Sequence, residues 1–158
     1  IGNEIKDILI QKAKEGIEVR VIYDDVGSWD LPKKYINELK AAGVNIYPFM
    51  RVAFPVFTSK INYRNHRKII VIDGKVGFMG GINIADRYID GGIFGHWRDT
   101  HLRLEGEAVQ MLQVIFLVDW YFVSKEILLR KRKKYFPGHF VDSKHLVQIA
   151  TSGPESDW

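Results

Sequence analysis

The chain has 158 residues, 46% of them hydrophobic and 13% aromatic, which is enough for one globular domain with a genuine core and excludes a disordered segment. It contains no cysteine, so disulfides, cysteine-ligated zinc and a thiol nucleophile are excluded, and a reducing compartment is compatible. A formal net charge of +4 suits an anionic partner such as nucleic acid or acidic lipid without choosing between them.

From Asn3 to Gly16, Ile5, Ile8, Leu9 and Ala13 fall at helical spacing, and Gly16 is a natural stop. Ile17 to Tyr23 alternates, with Ile17, Val19, Val21 and Tyr23 on one side of a predicted strand. Asp24-Asp25-Val26-Gly27-Ser28 follows at the strand's end. Adjacent carboxylates could bind a metal, but no further ligand stands at EF-hand spacing, so ordinary loop chemistry is expected and no metal site is assigned. Pro32 to Ala42 predicts a second helix ended by Gly43, and Val44 to Phe49 the next strand. Helix, strand, helix, strand points to parallel pairing through right-handed crossovers. The expected class is α/β, with a mixed, largely parallel sheet flanked by helices.

Arg51 to Arg64 sustains no period, and Phe54-Pro55-Val56-Phe57 sets two aromatics beside a proline. Two readings are open: a loop folded over the core, or an apolar rim that meets acyl chains. Lys60, Arg64, Arg67 and Lys68 then concentrate positive charge, as a solvated face or as a means of steering anions.

The densest chemistry lies between His66 and Asn83, HRKIIVIDGKVGFMGGIN. Ile69 to Ile72 is a β-branched run, Asp73-Gly74 favours a two-residue type I′ turn, and Val76 to Met79 resumes the apolar pattern, which together predict a β-hairpin. With that turn Ile72 faces Lys75, Lys68 faces Met79 and His66 faces Gly81. His66, Lys68, Gly81 and Asn83 then emerge on one side. An imidazole, an ammonium, an amide and an open glycine are the parts of a phosphate-handling site; an exposed hairpin with incidental polar residues is the alternative.

These residues carry a resemblance. His66-x-Lys68, four residues, Asp73, six residues, then Gly80-Gly81-x-Asn83 is similar to the HKD signature of the phospholipase D superfamily, and chance agreement of five identities at a given start is on the order of 10⁻⁷. One departure is Gly81, where the family usually has serine, which removes one hydroxyl donor to phosphate. Within the superfamily, Asn65-His66-Arg67-Lys68, Gly80-Gly81-Ile82-Asn83 and Trp97-Arg98-Asp99 resemble bacterial cardiolipin synthases, and the acidic loop at Asp24 is then expected near the site's edge.

Beyond the motif, Ile84 to Ile89 predicts a short helix and Thr100 to Leu104 a strand opened by Asp99. The resemblance gives Asp99 the role of holding the motif histidine's ring, and a nucleophilic histidine does need an acceptor for its second N–H. His96 and His101 are expected to be structural or surface residues. Glu107 to Lys131 is the longest predicted helix, with Val109, Leu112, Phe116, Trp120 and Val123 at spacings of three and four. Its apolar stretch Val114 to Val123 is too short to span a bilayer and is interrupted by Asp119. Arg130-Lys131-Arg132-Lys133-Lys134 closes it, either as cations favoured at a helix C-terminus or as a surface for anionic headgroups.

His145 to Thr151 reads as a strand, followed by Ser152-Gly153-Pro154, which in cardiolipin synthases opens the second catalytic half. No second His-x-Lys is present, and the chain begins at Ile1. The expected organisation is a phospholipase D-like half over residues 1–144, shortened at its N-terminal side, and the start of a missing second half over 145–158.

The resemblance implies a phosphatidyltransferase of cardiolipin synthesis that works without metal or other cofactor. His66 is the nucleophile, Lys68, Gly81 and Asn83 bind phosphate, Asp99 orients the ring, and Asp73, at the turn, holds the hairpin. Implied partners are phosphatidylglycerol and a second HKD half, from the parent chain or a homodimer mate. The parent is expected at the cytoplasmic side of the cell membrane and the fragment itself to be soluble. A homodimeric phospholipase D-type nuclease is the alternative, disfavoured because basic and aromatic residues are not interleaved for base stacking. A non-catalytic domain that binds anionic lipid is a third reading.

Overall fold

The computed structural model describes residues 1–50, 65–91, 95, 96, 98–151. The predicted loop at Phe54 to Phe57, Lys60, Arg64, Trp97 and the Ser152-Gly153-Pro154 segment lie outside the described residues. The chain divides into two compact units, Ile1–His66 with Asn83–Arg98, and Arg67–Ile82 with Asp99–Trp158.

In the first unit, α1 (Gly2–Lys14) leads to β1 (Arg20–Asp24), and α2 (Lys33–Ala41) to β2 (Asn45–Phe49). Gly16 and Gly43, at φ 85° and 91°, take the left-handed conformation that ends each helix and turns the chain into its strand. β1 and β2 pair in parallel, Arg20 opposite Asn45 through Asp24 opposite Phe49, as a helical crossover requires. Their core is Leu39, Val44 and Ile46, covered by Leu9, Ile10 and Ala13 of α1 and Tyr35 and Ile36 of α2. The Lys6 ammonium donates to the Glu38 carboxylate, and the Tyr35 hydroxyl to the Gly2 carbonyl at 2.8 Å, joining the two helices. A short α3 (Arg87–Asp90) belongs to the same unit.

The second unit overturns the expected largely parallel sheet. β3 (Ile69–Ile72), β4 (Val76–Gly80) and β5 (His101–Glu105) form a three-stranded sheet, antiparallel throughout, which is larger than the parallel pair. A tight hairpin turn cannot join parallel strands, so the crossover rhythm of the first fifty residues does not extend here. The turn itself differs by one residue from the prediction. Asp73 and Gly74 are left-handed as expected, at φ 53° and 66°, and the Lys75 N–H donates to the Ile72 carbonyl at 3.0 Å. Lys75, however, joins the turn, so Ile72 pairs with Val76 rather than Lys75, and Ile69 with Met79. A one-residue shift exchanges the two faces of a strand.

α4 (Ala108–Ser124) touches all three strands of this sheet. Its Val109, Leu112, Leu117 and Trp120 are buried. Leu112 lies so close over Gly77 that a β-carbon there would sit 2.7 Å from its Cδ1. The helix is shorter than predicted, because Lys125, at φ 63°, ends it in a left-handed turn. A 3₁₀ turn (Leu129–Lys131) and α5 (Arg132–Tyr135) follow as separate pieces. Residues 137–151 have no regular element, so the predicted strand His145 to Thr151 has no partner strand among the described residues. Among the described residues, no helix is long and apolar enough to cross a membrane.

Candidate active site

β4 and β5 bring one end of the motif against the residues that precede β5. The Gly81 N–H donates to the Thr100 carbonyl at 3.1 Å, one step beyond the β4–β5 pairing that ends at Gly80 and His101. A β-carbon on Gly81 would collide with both carboxylate oxygens and Cγ of Asp99. On Gly80 it would meet the Thr100 carbonyl and lie 2.7 Å from His101 Nδ1. The glycine pair is therefore the floor on which the Asp99 and His101 side chains rest. The Asp99 carboxylate is exposed, and its Oδ1 accepts from the Thr100 N–H at 2.7 Å. His101 Nδ1 is buried and has no hydrogen-bond partner among the described residues.

Lys68 immediately precedes β3 and is half-buried. By alternation it shares a side with Ile70 and Ile72, whereas Gly77 of the paired strand packs on α4 from the other side. The corrected register removes the pairing of Lys68 with Met79 and of His66 with Gly81, on which the expected convergence of four motif residues rested. Asp73 lies in the exposed turn, about 17 Å of strand away from Lys68.

His66 and Asn83 belong to the first unit. His66 is exposed. The backbone just before it is held by Asp24, whose Oδ2 accepts from the Asn65 N–H at 2.8 Å while its Oδ1 accepts from the Gly27 N–H. Both oxygens of this strand-end carboxylate therefore serve the backbone, a positioning role that sequence reasoning missed. The Asn83 side-chain amide donates to the Tyr88 hydroxyl at 2.6 Å, which fixes the amide's orientation from α3. Of the predicted site residues, then, Asp99 and Gly81 are brought into contact, while Asp73 stands apart in the turn.

Arg67, between the motif histidine and lysine, points to α4. Its Nη1 donates to Asp119 Oδ1 and Oδ2 at 3.0 and 3.1 Å, and Asp119 is only 13% exposed. Burial raises the Asp119 carboxyl above its ordinary value, against the opposing pull of the Arg67 guanidinium. A raised folded-state pKa means that the native protein holds the proton more tightly than the unfolded chain. Stability from this group is therefore greatest when it is protonated and falls as pH rises from the ordinary 3.8 through the raised value. In Asp119→Asn that dependence disappears. The stability difference between wild type and variant, followed by urea melts from pH 4 to 7, is expected to favour wild type most at the acidic end, then decline and level off; a difference that grows with pH would contradict the burial argument.

A family model described as "Cardiolipin synthase, PLD-like domain" matches residues 2–120, a span that takes in Asp24, the whole motif, Asp99 and Asp119. The chain belongs to the cardiolipin synthase family of phospholipase D-like domains. The chain is 54% identical over its full length to cardiolipin synthase 2 of Bacillus cereus, of which it covers 31%. It is 55% identical to a cardiolipin synthase of Halalkalibacterium halodurans, covering all of the chain and 32% of that protein. Against a probable cardiolipin synthase of Bacillus subtilis it is 46% identical over 98% of the chain and 31% of that protein. The chain thus spans about a third of the length of the curated relatives it matches. No solved structure matches it.

Proposed function

We propose that this domain supplies one half of the catalytic unit of a cardiolipin synthase, which converts two phosphatidylglycerol molecules to cardiolipin and glycerol. The observation that carries this reading is the family match over residues 2–120, a span that contains His66, Lys68 and Asn83. In the first step a ring nitrogen of His66 attacks the donor phosphorus. The bond from phosphorus to the glycerol headgroup oxygen breaks, and a second histidine gives that oxygen its proton. In the second step a hydroxyl of the acceptor phosphatidylglycerol attacks the phosphohistidine, gives its proton to the second histidine, and releases His66.

Lys68 and Asn83 carry the donors suited to the phosphate oxygens, where charge develops in the transition state. Asp99 is the acceptor for the second N–H of the His66 ring, and Asp73 acts on the hairpin turn rather than on a proton. One histidine cannot act as nucleophile and leaving-group acid in the same step, so a second motif is required, from the parent chain or from a second copy. Full coverage of the chain by relatives named for cardiolipin synthesis favours this over the nuclease reading. The full-length enzyme in mixed micelles should release glycerol and cardiolipin in equal amounts from phosphatidylglycerol alone. Cleavage of oligonucleotides without lipid turnover would replace this reading with the nuclease.

A further inference from the structure

The turn that follows the motif folds back onto it. The Asn83 carbonyl accepts from the Ala85 N–H at 2.9 Å, and the Ala85 carbonyl from the Tyr88 N–H at 3.1 Å. The Asp86 carbonyl accepts from the N–H groups of Ile89 and Asp90 at 2.8 and 3.0 Å. This winding returns the Tyr88 side chain to Asn83, with its hydroxyl oxygen 2.6 Å from the amide nitrogen. Both residues are half-buried, and both belong to the first unit. The Arg87 guanidinium lies over the Tyr88 ring at 5.4 Å, a cation–π contact that helps to hold the ring in place.

The direction of the Asn83–Tyr88 bond decides what Tyr88 can do. An amide NH₂ only donates, so the hydroxyl is the acceptor here and its own hydrogen is not spent on Asn83. With the second amide hydrogen about 120° from the first, a phosphate oxygen that it holds at ordinary length stands about 4.8 Å from the Tyr88 hydroxyl. The oxygens of one tetrahedral phosphate lie closer together than that, so a phosphoryl group that reaches Asn83 can also reach Tyr88. From His66 to Asn83 no side chain carries a hydroxyl. The motif therefore offers anionic oxygens an ammonium and an amide, and the first O–H donor after it is Tyr88.

We propose that Tyr88 is a further phosphate-binding residue, whose hydroxyl accepts from the Asn83 amide and donates to a non-bridging oxygen of the phosphoryl group. Accepting from the amide polarises the hydroxyl and makes it a better donor. Held in advance by the turn, it meets the charge that develops on phosphorus without reorganising. The assignment rests on Asn83 binding phosphate, as proposed above, and not on which alcohol the phosphoryl group carries.

Tyr88→Phe keeps the ring and its contact with Arg87 and removes only the oxygen, so the melting temperature should stay close to that of wild type. In the full-length enzyme this variant should lower kcat for phosphatidylglycerol by about ten- to a hundredfold, with KM within about threefold. It should also weaken the binding of orthovanadate, followed by titration calorimetry, by about tenfold or more. Vanadate reports on five-coordinate phosphorus without lipid. An enzyme that makes no cardiolipin, yet loses vanadate affinity in Tyr88→Phe, would refute the cardiolipin reading and uphold Tyr88. The decisive comparison is made in Asn83→Ala, where removing a hydroxyl that touches phosphate itself should still cost at least about fivefold in vanadate affinity. No further loss there would overturn the proposal, because Tyr88 would then act only by orienting the amide. Wild-type kcat and vanadate affinity in Tyr88→Phe would overturn it as well, and a wild type that binds no vanadate would remove the phosphate site on which it rests.

Discussion

His66→Ala in the full-length enzyme is expected to reduce cardiolipin formation from phosphatidylglycerol by at least about a thousandfold, with little change in thermal stability. The two halves of that expectation have separate grounds. Stability is spared because His66 is exposed, and the backbone before it is held by Asp24 through the Asn65 N–H, which the substitution leaves intact. Activity is expected to fall because the proposed covalent step needs a nucleophile at that position, and His101, the histidine packed beside Gly80, has its Nδ1 buried. On the proposed mechanism, loss of Lys68 or Asn83 would weaken phosphate binding in part, whereas loss of His66 would remove the phosphohistidine altogether. Turnover within tenfold of wild type, measured with purified protein in mixed micelles, would refute the nucleophile assignment.

Features with a local physical cause are legible in the sequence. α1 and α2 end where Gly16 and Gly43 stand, because a left-handed residue is a local requirement with a local signature. Asp73 and Gly74 are left-handed for the same reason. The hairpin register failed because Lys75 was drawn into the turn, and the segment covering it comes from far along the chain: a β-carbon on Gly74 would meet the Tyr135 carbonyl at 2.6 Å. No residue between 72 and 76 records that cover. The helix-strand rhythm of β1 and β2 does not extend past the hairpin, where tight connectivity imposes the opposite strand direction. Lys125 ends α4 without a glycine or proline to mark it, so the basic run was assigned to the wrong helix. At the site, the motif's spacing was legible, but its supports were not. Asp24 meets Asn65 from 41 residues away and Arg67 meets Asp119 across 52, separations at which a single sequence carries no pairing signal.

Gly81 provides the second large expected effect, and two physical arguments about it point in opposite directions. By counting donors, Gly81→Ser should help, since it restores the hydroxyl that the superfamily's usual motif places near phosphate. By sterics it should harm, since any β-carbon at Gly81 enters the space of the Asp99 carboxylate. The steric argument prevails. One hydroxyl donor to a charged group contributes about 1.5–3 kcal/mol at best, and only if its geometry is right. Displacing the carboxylate by about 1 Å disturbs the group proposed to orient the nucleophile, an error that can cost about a hundredfold in rate. Gly81→Ala and Gly81→Ser in the full-length enzyme are therefore both expected to lose about ten- to a hundredfold in kcat. Stability should change little, because the exposed Asp99 carboxylate can swing aside without opening the core. The comparison with Asp99→Ala distinguishes this cause from simple crowding of substrate. Once the carboxylate is gone, adding Gly81→Ala should cost almost nothing more, since both substitutions remove the same interaction. Full additivity of the two losses, or higher activity in Gly81→Ser, would show instead that the glycine makes room for lipid and that Asp99 takes its position from elsewhere.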